Sequence, residues 1–457
     1  MKPALLPVLA GPAARAWIEG TSAAAAAGTA AGAGGAAADE PPVDEAVRRI
    51  LAEVRAGGDD ALRRCAEAYD GGTPSALRVP PVRCAEALAA LSAERREALE
   101  FARDNIARRH RAQIRREAPV EILPGVSLWR EFRPIRRVGL YVPGGRAAYA
   151  SSLLMTAVPA RVAGCDELVA CSPAGPTGEP AEAVMAAAAL VGVDELYAIG
   201  GAHAIAAMAY GTETITPVDK IFGPGGAWAN AAKLAVFGTV AIDLPAGPSE
   251  IAVWADGAAD PDRVAAEIVA QAEHGPDSIC FVVLSDSGQD DADLPGLAAQ
   301  IRERAVDRCA ALAAGPGEPG EAARAALAAG AVVVAANDAE AVDWLEIRAP
   351  EHLSIQTRDP LLDLRRVRSA GAVFLGPSSA VAAGDYCTGG NHVLPTGGRA
   401  RGAGGLDLDA FGRWISVQRL TPEGLGSLAP AIATLAEWEG LPAHARSVVG
   451  RGPGGLP

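Results

Sequence analysis

Six histidines occur in 457 residues, and four of them stand in short Gly- or Pro-bounded segments that also carry acids or amides. They are His274 in Gln271-Ala-Glu-His274-Gly-Pro, His352 in Pro350-Glu351-His352-Leu, His392 after Gly384-Asp385-Tyr386, and His444 after Glu439. Imidazole is the commonest metal ligand and titrates near neutrality without perturbation. A scarce residue concentrated beside carboxylates points to a metal site or an acid–base site.

Each segment has its own logic. Gln271 and His274 are three apart, so they share one face of a last helical turn. That face could offer an amide oxygen and a ring nitrogen to zinc or a similar ion; it equally suits a plain polar helix end. Asp260-Pro261 supplies an N-cap and a first-turn proline, and Gly275-Pro276 stops the helix. Glu351 and His352 can work as general base and proton shuttle if the backbone turns both toward one cavity, and Pro350 re-aims the chain just before them. Gly384-Asp385, with Gly389 and Gly390, makes a loop able to bring a carboxylate and an imidazole close to a ligand. Cys387 is either a soft ligand or an incidental neighbour of Asp385.

The elements that must position these groups follow from texture. Residues 22–39 are Ala/Gly low complexity, read as a flexible linker after a short N-terminal piece that includes Trp17 and Ile18. Val47, Ile50, Leu51 and Val54 predict an amphipathic helix over residues 43–69, and helical pattern continues over 84–116, where His110 in a basic run with Arg108 and Arg109 is expected on the solvated surface. From Arg137 short apolar runs end in Gly or Pro and precede Ala-rich helical stretches: 138–142, 167–171, 195–199, 220–222 and 240–243, then 279–284, 331–335 and 372–375. Such alternation predicts parallel sheets with helical crossovers, in two α/β units. Beyond Gly397 a Gly-rich loop and a helix near 430–437 form a tail too small for a core of its own.

Tyr141-Val-Pro-Gly-Gly145, Gly200-Gly201 and Gly223-Pro-Gly-Gly226 each end a predicted strand and open a helix. Turns of this kind expose backbone N–H groups that can cradle a pyrophosphate. None is G-x-G-x-x-G, so each alone also reads as a tight turn without a ligand.

Bulk properties narrow the classes. A net charge of −14 excludes a general nucleic-acid binder, and no apolar run is long enough for a membrane span. Aromatics are only 4%, so Ala, Val, Leu and Ile must build the core. Seven scattered cysteines without a C-x-x-C pair suit a reducing cytosol rather than a disulfide framework. Met1–Ala10 carries two prolines and lacks a signal-peptide core, which favours a cytoplasmic protein.

Taken in order, Val138-Gly-Leu-Tyr-Val-Pro-Gly-Gly145, Val218-Asp-Lys-Ile-Phe-Gly-Pro-Gly225, Ala246-Gly-Pro-Ser-Glu250, Gln271-Ala-Glu-His-Gly-Pro276, Ala349-Pro-Glu-His-Leu353 and Gly384-Asp-Tyr386 with Asn391-His-Val-Leu-Pro-Thr396 closely resemble the histidinol dehydrogenase family over residues 43–448. The resemblance implies a zinc- and NAD-dependent homodimer that oxidises L-histidinol to L-histidine through the aldehyde, one zinc per subunit. It implies zinc ligands at Gln271, His274, Asp385 and His444, the last from the other subunit. Glu351 and His352 match the family's acid–base pair, while Ser249, His392 and Glu439, with the zinc ligands and His352, match its substrate contacts. Tyr141, His203 and Gly226 fall at its NAD contacts, where the family usually has Gln for His203 and Asn for Gly226. The implied architecture is two incomplete Rossmann-like parallel-sheet domains with small N- and C-terminal docking segments. Its expected boundaries are an N-terminal segment 1–21, a linker 22–39, a zinc/substrate domain 40–140 with 250–400, an NAD-binding-like domain 141–249, and a dimerisation tail 401–457 reaching the partner's site. A paralogue acting on another small alcohol such as a sulfonated diol, a zinc-binding protein without redox function, and a metal-assisted hydrolase using Glu351 are the competing expectations.

Overall fold

A computed structural model describes residues 5–26, 43–144, 149–245, 247–286, 292–313 and 319–448. Its strands are β1 (Val8–Ala10), β2 (Arg78–Val79), β3 (Val120–Leu123), β4 (Val126–Pro134), β5 (Arg137–Tyr141), β6 (Glu167–Ser172), β7 (Glu195–Ala198), β8 (Lys220–Phe222), β9 (Ala241–Ile242), β10 (Glu250–Ala255), β11 (Ile279–Leu284), β12 (Ala331–Val334), β13 (His352–Gln356), β14 (Ala372–Leu375) and β15 (Gly412–Leu420). They form two six-stranded sheets, ordered β2-β7-β6-β5-β8-β9 and β1-β12-β11-β10-β13-β14, and a three-stranded sheet β15-β4-β3. Sheet one is parallel apart from the antiparallel β2, sheet two is parallel throughout, and the small sheet is antiparallel. The expected mixed α/β class with parallel sheets is what the chain adopts.

Both large sheets are covered on two faces, which is why their central strands are continuous apolar runs: every residue of β5 and β10 is buried. On one face of sheet one, the helix Val43–Tyr69 packs against the helices Gly201–Tyr210 and Ala227–Val236. Val47, Ile50, Leu51 and Val54 of that first helix enter the core with Ile205 and Val236. On the other face lie the helices Pro81–Ala90, Ala93–Arg111, Ala150–Ala163 and Glu182–Val191. Sheet two is sandwiched between Pro261–Ala272, Leu294–Ala313 and Pro319–Ala329 on one side and Gly11–Ala26 with Asp338–Arg348 on the other.

Several expectations are corrected. Residues 43–134 are not one unit with 250–400: the helix Val43–Tyr69 and β2 belong to sheet one, β3 and β4 pair with β15 in the small sheet, and the helix Ala93–Arg111 reaches that range, with Asn105 donating to the Cys387 carbonyl. The reason is apolar complementarity, since the buried stripe of the helix Val43–Tyr69 is the cover for Ile205, Ala229 and Val236. The N-terminal piece is an edge strand of sheet two, with Leu9 paired to Val333, and its helix runs to Ala26 rather than ending where the Ala-rich stretch begins. Alanine is the best helix former, which accounts for the extension; residues 27–42 of the expected linker lie outside the described residues. The helical stretch expected over 84–116 is two helices, broken at Leu91 and Ser92, with Ser92 capping the second. His110, expected on a solvated surface, is 1% exposed and its Nδ1 lies 2.8 Å from the Ile106 carbonyl.

Candidate active site

The helix Asp338–Arg348 ends at Ala349, whose φ of 44° is left-handed, and Pro350 then sends the chain into β13. β13 pairs in parallel with β10, His352 opposite Ile251, although the two segments are about a hundred residues apart in sequence. That register brings Glu250 beside both members of the Glu351–His352 dipeptide. The Glu250 N–H donates to the Glu351 carboxylate at 2.8 Å, and the Glu250 carbonyl lies 3.0 Å from His352 Nδ1. A carbonyl only accepts, so Nδ1 carries the proton and the neutral ring keeps its lone pair on Nε2. Nε2 faces the Asp385 carboxylate at 3.6 Å.

Both catalytic candidates are buried, at 6% and 4% exposure. Burial raises the Glu351 carboxyl to about 7, with His352 opposing part of that rise. Burial works against a charged His352, but Glu351 and Asp385 overcome it and lift the ring to about 9. Burial also pushes Asp385 upward, yet His352 above all, with His392 and His274, holds it below the usual carboxylate range. Two raised groups touching a lowered one make an arrangement able to pass protons.

Asp385 sits on the short helix Val381–Tyr386, and its carbonyl lies 3.0 Å from His392 Nδ1. The helix Pro261–Ala272 starts as its sequence predicts, with Asp260 accepting the Asp262 N–H and Pro261 in the first turn. At its far end Gln271 is buried with Nε2 lacking a protein partner, while His274 is exposed, its Nδ1 3.3 Å from the Ala270 carbonyl. The structure therefore brings Gln271, His274, Asp385, His352 and His392 into one region. Among the described residues no three His, Cys, Asp or Glu side chains form a metal cage. An amide oxygen, an imidazole and a carboxylate fit a divalent ion of zinc type as an incomplete set. Ser249 immediately precedes β10, and its carbonyl accepts the Ile279 N–H.

Glu439 and His444 are not brought there within the chain. Glu439 caps the helix Pro422–Trp438, His444 lies in Pro442–Val448, and the two helices pack on each other with both side chains exposed. Trp438 beside them is 85% exposed.

The glycine turns lie at the carboxyl edge of sheet one. Gly223, after β8, has φ 118°, and a Cβ there would lie 2.1 Å from the Tyr141 carbonyl oxygen, so the turn admits only glycine. Its N–H donates to Asp243 at 2.8 Å, and Asp243 pairs with the buried Lys233. Gly226 caps the helix Ala227–Val236 with extended backbone, a geometry that suits an anionic ligand. Tyr141 is buried, its hydroxyl accepting the Gly201 N–H at 3.1 Å. His203, expected to face the dinucleotide, is 1% exposed and its Nε2 lies 3.0 Å from Asp70, which also accepts the Gly200 N–H. That buried carboxylate is the partner that draws the ring inward. Gly145 lies outside the described residues.

Sequence reasoning missed Glu250, Asp70, Asp243, Arg348 and Glu267. Glu267 lies one helical turn before Gln271, accepts the Val381 N–H and is raised by burial, with Asp385 adding to the rise. Glu250 was legible only as the last residue of the Ser249-Glu250 motif; Asp70 carries no local signal.

A family model described as histidinol dehydrogenase matches residues 35–452. A histidinol dehydrogenase of Methanothermobacter thermautotrophicus is 45% identical over 402 residues, 88% of this chain and 91% of that one. One of Haloarcula marismortui is 46% identical over 409 residues, 89% of this chain and 93% of its own. The crystal structure of a histidinol dehydrogenase from Elizabethkingia anophelis is similar with a TM-score of 0.87 at 33% identity, covering 98% of both chains.

Proposed function

Because this chain belongs to the histidinol dehydrogenase family of NAD-dependent oxidoreductases acting on a small molecule, we propose that it oxidises L-histidinol through L-histidinaldehyde to L-histidine, the last steps of histidine biosynthesis. The observation that carries this reading is the pair Glu351–His352, buried, both shifted upward, and held by the backbone N–H and carbonyl of one residue, Glu250.

His352 is the base for the substrate hydroxyl: Nδ1 is committed to the Glu250 carbonyl, so Nε2 takes the proton as hydride leaves carbon. Asp385, if it held a metal, would pull less on the His352 proton and would leave Nε2 free nearer neutrality. Glu351, raised to about 7, suits activation of the water that adds to the aldehyde before the second oxidation. Bound NAD supplies the hydride acceptor in each oxidation, at Tyr141 and the Gly223–Gly226 turn. A bound zinc ion supplies a template for the substrate's amino and imidazole nitrogens. Gln271, His274 and Asp385 would hold it together with His444 of the partner subunit. Ser249, His392 and the partner subunit's Glu439 complete the substrate contacts.

The exposed apolar side chains of the tail and small sheet, Trp438, Leu435, Leu441, Val120 and Ile122, support a homodimer with shared sites. No helix among the described residues is long and apolar enough to cross a membrane. Seven free cysteines, six of them buried, fit a cytoplasmic enzyme.

The test is NADH formation by purified, zinc-supplemented protein given L-histidinol. Two NADH per histidinol are expected. NADH formation with another small alcohol and none with histidinol would replace the substrate, and no redox turnover with either would remove the reading.

A further inference from the structure

Arg348 has no part in the chemistry above, yet it is 1% exposed and stands two residues before Pro350. Its guanidinium lies over the Phe281 ring at 5.5 Å and faces Glu250, itself 1% exposed, at 3.7 Å. Taking two ions out of water is costly enough that an apolar pair of similar volume often leaves a fold equally or more stable. Stability is therefore a poor account of this pair. Glu250 suggests a better one, because it touches four parts of the site. Its carboxylate meets Arg348 and accepts the Gly397 N–H at 3.1 Å, in the loop that follows His392. Its N–H holds the Glu351 carboxylate, and its carbonyl holds His352 Nδ1.

We propose that the buried Arg348–Glu250 pair is the positioning element of the Glu351–His352 dipeptide: it fixes Glu250, the first residue of β10, with the peptides on either side of it, and so makes the imidazole present Nε2 to the substrate. This rests on the assignment of Glu351 and His352 as the acid–base pair. Neither Arg348 nor Glu250 touches the reacting atoms. They act by restricting the two peptides that flank Glu250, which would otherwise sit at a freely adjusting strand end. A displacement of about 1 Å at a reacting group costs on the order of 100-fold in rate.

The experiment uses the full-length protein with ¹⁵N-labelled histidine. Six histidines keep the spectrum simple, and the variant His352→Asn identifies the resonance of interest. The double variant Arg348→Met with Glu250→Gln removes both charges while keeping an acceptor for Gly397. It is expected to melt no lower than the parent. At alkaline pH its His352 signal should change from a single Nδ1–H tautomer to a mixture, and kcat should fall by roughly 10- to 100-fold with KM for NAD unchanged. Arg348→Lys alone should restore the single tautomer and most of kcat. Retention of one tautomer and of parental kcat in the double variant overturns the proposal. Should the double variant not fold, Arg348→Met is read by the same two criteria. A parent that shows the tautomer change between variants but does not oxidise histidinol keeps the positioning role and removes the functional reading instead.

Discussion

The two large sheets have the same strand order, β7-β6-β5-β8-β9 in one and β12-β11-β10-β13-β14 in the other, and each gains a sixth strand from upstream chain. They work at opposite ends. In sheet one the glycine turns follow the carboxyl ends of β5, β7 and β8, where ligands of open α/β sheets bind at the switch of strand order. In sheet two Glu250 and His352 are the first residues of β10 and β13, and Glu351 precedes the latter, so the ionisable groups gather at the amino ends. The connection 243–249 explains why: it leaves the carboxyl edge of sheet one and enters the amino edge of sheet two, making the two edges neighbours. A repeated topology does not repeat its working edge. Glycine turns, which allow close backbone approach, stand at the edge of one unit; the touching pair Glu351 and His352 stands at the edge of the other.

The largest expected effects test whether sheet two alone holds the metal. Purified protein should carry about one zinc per chain, given its mixed N and O donors. His274→Ala and Asp385→Ala should each lose the metal and with it activity, read by elemental analysis. Unchanged metal content in both would detach these residues from the metal and leave the amino edge of sheet two as an acid–base site only.

Nearly as large is the effect of the tail. Removing residues from Pro430 onward should abolish activity, since Glu439 and His444 are exposed in the single chain. Mixed dimers of His444→Ala and His352→Ala subunits should regain activity that neither parent variant has. Demonstrated subunit exchange without recovery would argue that the tail serves its own chain's site.

His352→Asn should slow both oxidations, and Glu351→Gln the second more than the first, by roughly 100- to 10,000-fold. KM for NAD should stay constant in both. A pure loss of NAD affinity would move these residues to the cofactor edge and break the contrast between the sheets.

A smaller effect is one of pH. Glu351 acts as a base only when ionised, and it is protonated below its raised value of about 7. Aldehyde oxidation should therefore decline as pH falls through that value, by about tenfold per unit further down. The decline should vanish in Glu351→Gln; its persistence there would assign it to another group.

The smallest effect concerns sheet one. A Cβ at Gly226 would meet nothing within 4 Å, so Gly226→Asn can add a neutral hydrogen bond to the dinucleotide, about 0.5–1.5 kcal/mol or a few-fold in Kd. His203→Gln should add little, because the ring is already committed to Asp70. NAD titration separates the two, and tightening by His203→Gln alone would show that position 203 reaches the ligand after all.

Much of this was visible without coordinates. The helix Val43–Tyr69, the capped start of Pro261–Ala272 and the central strands β5 to β8 follow from local patterning, which is strong where one face or both faces are buried. β10 and β13 went unread as strands because their first residues carry chemistry rather than apolar pattern. The small sheet was missed because β15 mixes Arg, Ser and Gln with exposed and half-buried apolar residues in no regular alternation, so burial gives it no period. His110 and His203 were misplaced because a polar side chain in a helical run does not reveal whether a buried partner waits for it.

The sequence alone determined which chemical groups are available, in what order, and which turns must be glycine, because those properties reside in side chains and in φ at single positions. Only the tertiary structure decided that Glu250 would hold Glu351 and His352, that Asp70 would claim His203, and that Glu439 and His444 would stand outside their own chain's site. Those outcomes depend on the register between strands about a hundred residues apart and on which faces of helices find cover, and both are settled by the packing of the whole chain.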